Sequence, residues 1–190
     1  MKRGGGADID NATPSAVDHA GEPAAMLALL NQRLHAARLE SRFIAMLFGV
    51  YDAPSRRLTL ANAGGPYPLL VRDGQVQTIL LEGVPLGLIP DTRYDELTLD
   101  LQVGDIVLFA SDGILESENR QQEEFGPERL SLLLTGLSRE ICAREIAELI
   151  LAATDEHCGE GHSPHDDRTL LVLRVTGESA TDLSKMPIIY

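Results

Sequence analysis

Six stretches of this chain, at 43–51, 57–63, 68–72, 76–81, 94–101 and 106–110, are apolar or alternate apolar with polar residues, and no helical repeat separates them. Parallel neighbours need a crossover of a dozen or more residues, usually a helix, whereas antiparallel neighbours need only a turn. Turns are written into the gaps as Asp52-Ala53-Pro54-Ser55, Asp73-Gly74 and Val103-Gly104-Asp105. Asp-Gly between two strand-like stretches is a strong hairpin signal, because that turn takes positive φ at both central residues. The fold class is therefore α+β on antiparallel sheet, and the pattern excludes a doubly wound parallel fold.

Helical patterns flank this block. Glu22-Pro23 opens a helix that runs to residue 39, with Met26, Leu27, Leu30, Leu34 and Ala37 on one face. A second helix, 127–137, begins at a proline and carries Leu130, Leu133, Leu134 and Leu137. A third, 139–157, contains Cys142 and turns Ile141, Ile146, Leu149 and Ile150 inward. The stretches 43–51 and 169–175 read as buried strands. Residues 1–22 lack periodicity and 177–190 read as a second tail, which leaves 23–176 as one domain.

The formal net charge is −13. Such a surface repels phosphate backbones and anionic bilayers, so neither nucleic acid nor membrane is an expected partner. No apolar run approaches the roughly 20 residues of a membrane helix, and the first ten residues hold no signal-peptide core. Two cysteines, Cys142 and Cys158, are too few for a disulfide framework, so a cytoplasmic location is expected. The acidity either keeps the surface solvated or supplies oxygen ligands to hard cations.

Four places hold residues suited to chemistry. In Phe109-Ala110-Ser111-Asp112-Gly113-Ile114 an apolar strand runs into a carboxylate. A rigid element holds a metal ligand or catalytic acid best, although Asp-Gly is also an ordinary turn. In His165-Asp166-Asp167-Arg168-Thr169 two adjacent carboxylates precede a buried strand, as a cation site or as a solvated loop. The loops Asn62-Ala63-Gly64-Gly65-Pro66-Tyr67-Pro68 and Gly83-Val84-Pro85-Leu86-Gly87-Leu88 match no phosphate-binding motif and read as shaped turns. The run from His157 and Cys158 to His162 and His165 has zinc-type ligands, but its spacing fits no common zinc motif.

Taken together, FIAMLFGVYD, RRLTLANAGGPYPLLVRDG, EGVPLGLIPD, LQVGDIVLFASDGILESEN, EEFGPERL and HDDRTLLVLRV resemble, in order, the SpoIIE/RsbU-type branch of the type-2C metal-dependent serine/threonine phosphatases. The resemblance implies an antiparallel β-sandwich flanked by helices, with two Mn²⁺ or Mg²⁺ ions between the sheet ends. It implies hydrolysis of phosphoserine or phosphothreonine in a protein by a metal-activated water. Carried over by motif, Asp112 and Asp166 are metal ligands, Asp167 is their neighbour at the same site, and Gly113 is a backbone element beside it. The implied setting is bacterial partner-switching control of sigma factors, and the implied substrate a phosphorylated anti-sigma-factor antagonist. A homodimer is left open.

Two departures accompany the resemblance. Gly65 stands where the family's NAGH loop has histidine. No stretch matches the family's early GGDFYD-like and DVSGKG-like motifs, so the domain is expected to be incomplete at its N-terminus. A catalytically silent adaptor on the same fold is the alternative.

Overall fold

The structure is a computed structural model that describes residues 21–37, 43–138, 140–159 and 167–177. Apart from the few residues at their inner ends, both expected tails lie outside the described residues. The elements run α1 (Pro23–Ala36), β1 (Met46–Asp52), β2 (Arg57–Ala63), β3 (Leu69–Arg72), β4 (Gln75–Thr78), β5 (Leu97–Asp100), β6 (Ile106–Ala110), α2 (Asp112–Leu115), α3 (Gly126–Leu134), α4 (Ala143–Cys158) and β7 (Leu170–Arg174).

Asp73 and Gly74 take φ of 52° and 76° and close the β3–β4 hairpin, as their sequence requires. Among the described residues every pairing between these strands is antiparallel. One sheet has the order β1-β2-β5 and the other β4-β3-β6-β7.

The period-two alternation of each strand decides the layers. Leu58 and Leu60 of β2 meet Leu70 of β3 and Val107 of β6 between the sheets. The opposite face of the second sheet presents Leu69, Val71, Ile106 and Leu108 to Ile114, Leu130, Leu134, Ile146 and Ile150 of α2, α3 and α4. The outer face of the first sheet presents Ala61 and Ala63 to Leu27 of α1. The result is a four-layer helix–sheet–sheet–helix sandwich. Each fully buried leucine or isoleucine contributes about 2 kcal/mol of transfer free energy to it.

Several boundaries differ from the sequence reading. The first helix ends at Ala36, and Leu29 and Asn31 are buried alongside Met26 and Leu27. The strand expected at 43–51 starts at Met46 and is only half-buried, because β1 is the edge of its sheet and Phe43 is 63% exposed. The 76–81 stretch pairs only as β4, and 94–101 only as β5. The last strand also lies at an edge, which leaves Leu171 exposed. Cys142 is not inside a helix but caps α4: its sulfur accepts from Glu145 N–H, and its own N–H donates to the Glu145 carboxylate at 2.7 Å. The helix consequently starts later than expected, and Leu149 falls on its outer face.

Candidate functional site

Strand β6 is buried on both faces, which fixes the direction in which it delivers Ser111, Asp112 and Gly113. The chain turns at once into the four-residue α2. Asp112 is exposed at this turn, and among the described residues no donor bonds its carboxylate. It lines a cavity of about 700 Å³ together with Asn62, Gly65, Tyr67, Ala110 and Leu115.

The second acidic segment is drawn to the first through the backbone. The β6–β7 ladder ends at the pair Ala110–Leu170, and Ser111 prolongs it. Its N–H donates to the Thr169 carbonyl at 2.9 Å, and its Oγ accepts the Thr169 N–H at 2.8 Å. That Oγ also donates to the Asp167 carbonyl at 3.3 Å. A Cβ on Gly113 would lie 2.3 Å from the same carbonyl oxygen, so only glycine admits this approach. The Gly113 carbonyl itself accepts from the Ser117 hydroxyl at 2.7 Å, within its own turn.

Asp112 and the exposed Asp167 therefore lie on two chain segments that touch at one end of neighbouring strands. Asp166 is outside the described residues. Arg168 turns away from the pair and binds Asp155 of α4 at 2.6 Å.

The two glycine-rich loops are the shaped turns that the sequence implied. Asn62, 1% exposed, donates to the carbonyls of Gly65 and Leu81 and accepts from Gly65 N–H, all within 2.9 Å. A Cβ on Gly83 would sit 1.7 Å from the Asn62 carbonyl oxygen, and one on Gly64 would strike the Pro85 ring. Both loops form one wall of the Asp112 cavity. Asn31 of α1 performs a similar task further along, bonding the Gly87 N–H and the Ile89 carbonyl.

In the zinc-type run, His157 bonds the Glu123 carbonyl and packs edge-on against Phe125, while Cys158 is buried at the end of α4. His162 and His165 lie outside the described residues.

The sequence reading missed Ser111, Asn62 and Asn31 as organisers of the site and its walls. For Ser111 the available signal was a hydroxyl residue bridging strand end and turn; for Asn62 it was an asparagine closing a strand before Ala-Gly. Nothing in the pattern of α1 marked Asn31.

Oxygen donors on exposed carboxylates suit a hard cation such as Mn²⁺ or Mg²⁺, which keeps several of its waters. The donor chemistry of Asp112 and Asp167 fits that group in kind. Among the described residues no three His, Cys, Asp or Glu converge on one point.

The profile of Stage II sporulation protein E (SpoIIE) matches residues 7–176. The chain belongs to the SpoIIE family. Protein IcfG of Synechocystis sp. is 26% identical over 154 residues, covering 75% of this chain and 24% of IcfG. Phosphoserine phosphatase RsbU of Bacillus subtilis is 26% identical over 156 residues, covering 80% of this chain and 45% of RsbU. The chain thus spans less than half the length of these two relatives. The SiaA-PP2C domain of Pseudomonas aeruginosa superposes with a TM-score of 0.68 at 27% identity, over 84% of this chain and 64% of that one. The SpoIIE-family fold is accordingly that of a PP2C phosphatase domain.

Proposed function

We propose that this SpoIIE-family chain serves a metal-dependent phosphoserine/phosphothreonine protein phosphatase of bacterial partner-switching signalling. The observation that carries the reading is the convergence at Gly113. The Asp112 turn and the backbone of Asp167 and Arg168 meet there, beside a cavity large enough for a phosphorylated side chain and its flanking residues. Asp112, Asp166 and Asp167 are proposed to hold Mn²⁺ or Mg²⁺. When bound, such ions make water a nucleophile near neutral pH and offset charge on the phosphoryl oxygens.

The chain's own residues supply placement. β6 fixes the base of Asp112, and Ser111 and Gly113 set the distance of the second acidic segment. The wall built on Asn62 bounds the cavity on one side. Kinship with a phosphoserine phosphatase, RsbU, supports a phosphorylated substrate, and the sequence resemblance supports a protein such as an anti-sigma-factor antagonist.

The test is Mn²⁺-dependent phosphate release from a phosphoserine protein and from an aryl phosphate. It is run on the 190-residue chain and on the chain preceded by a SpoIIE-type N-terminal segment. With three candidate carboxylates, the unextended chain is expected to bind Mn²⁺ weakly and turn over slowly, and the extended one to hydrolyse both substrates. Asp112→Ala should abolish that hydrolysis. An extended chain that binds a phosphoprotein but releases no phosphate would establish the adaptor reading instead.

A further inference from the structure

Ser111 is the hinge pin of the candidate site. Its Oγ touches both sides of Arg168, accepting from Thr169 N–H and donating to the Asp167 carbonyl. The ladder between β6 and β7 has ended one pair earlier, so these bonds carry the two segments together past the last strand pair. Gly113, with no Cβ, leaves room for the Asp167 carbonyl, and Arg168 is tied to Asp155. Of these contacts, the Ser111 hydroxyl alone bonds both the carbonyl of an acidic residue and the amide just ahead of β7.

We propose that Ser111 is a positioning residue. Its hydroxyl fixes the backbone at Asp167 against the Asp112 turn, and so sets the affinity of the site for a divalent cation. The inference rests on the phosphatase reading for the identity of the ion. Loss of a partner that orients metal ligands costs about 10–100-fold in affinity. Removal of the hydroxyl does not threaten the fold, because the Ser111 N–H still holds the Thr169 carbonyl and the freed Thr169 amide is exposed enough to bond water.

The experiment compares the full 190-residue wild type with Ser111→Ala and Ser111→Thr. Free Mn²⁺ is followed by electron paramagnetic resonance during titration, and exchange of the Thr169 amide is measured on the same samples. Ser111→Ala is expected to weaken Mn²⁺ binding about tenfold and to speed exchange at Thr169, and Ser111→Thr to restore both. Equal Mn²⁺ affinity in wild type and Ser111→Ala, with Thr169 deprotected only in the variant, would overturn the proposal. So would unchanged exchange at Thr169. Wild type that binds no Mn²⁺ throughout the millimolar range would remove the cation site itself, whatever Ser111 does to exchange, and would leave Ser111 a purely structural residue.

Discussion

Arg72 and Asp105 lock together at the end of β6 opposite Asp112. The Arg72 Nε lies 3.0 and 3.1 Å from the two carboxylate oxygens, and Nη2 lies 2.5 Å from one of them. Asp105 is buried and also accepts the Gln102 N–H at 2.8 Å, while its partner is 30% exposed. The hydrogen bond to Asp105 holds the Arg72 guanidinium above its ordinary pKa. Asp105→Ala leaves the half-buried Arg72 cation with only the Asp100 carbonyl, and the Gln102 amide without its acceptor. The expected loss is about 2–4 kcal/mol, read as a lower urea midpoint with an unchanged slope.

Gly113→Ala tests the contact between the two acidic segments. The added methyl meets backbone, the Asp167 carbonyl, and not the yielding end of a side chain. The segment ahead of β7 must move, whereas α2, α3 and α4 keep their packing. Mn²⁺ affinity should fall by at least the factor expected for Ser111→Ala, with far-ultraviolet circular dichroism unchanged.

Asp112→Ala separates function from stability. No described group bonds this exposed carboxylate, so its removal is expected to shift stability by less than about 0.5 kcal/mol while hydrolysis by the extended protein is lost. Thermal unfolding and phosphate release on the same preparation make the comparison.

At the start of α4, backbone and side-chain hydrogen bonds from Cys142 lower the pKa of Glu145 below its ordinary 4.5. A depressed carboxylate contributes stability that is fully present above its unfolded pKa and is lost as pH falls through the folded one. The difference in unfolding midpoint between wild type and Glu145→Ala should therefore be largest near neutral pH and shrink below pH 4.5.

Tyr94 carries a buried hydroxyl that has no hydrogen-bond partner among the described residues. Burial also pushes its pKa up, so the folded state holds that proton more tightly and loses stability as pH rises past the ordinary value of 10.0. Tyr94→Phe removes the unpaired group from the packing beneath α1, for an expected gain of about 1 kcal/mol that grows in alkaline buffer.

What was legible in the sequence was what local chemistry decides alone. Asp73-Gly74 has one good conformation, and it made the hairpin; Leu58 and Leu60 alternate, and they found the inter-sheet core. The position of Asp112 just past the end of β6 was legible because an apolar strand ran straight into it. Burial of β1 was not, because an apolar stretch does not disclose whether its strand lies at an edge. Cys142 was misplaced because sulfur is a poor capping acceptor and signals no helix start. Ser111, Asn31 and Asn62 were hidden for a different reason. Their partners at Thr169, Ile89 and Leu81 lie far along the chain, and only the folded topology brings those backbone groups within reach.

The interleaving of Gly83 with Asn62, and of Gly64 with Pro85, means that two loops far apart in sequence are casts of one another. Neither can drift alone: a side chain gained at Gly83 has nowhere to go unless the backbone at Asn62 retreats, and a bulkier residue at Gly64 needs Pro85 to give way. A chimera that imports one loop from a distant relative and keeps the other should misfold at this corner, while one that imports both as a unit should not. In descent, the pair would be inherited as a single character.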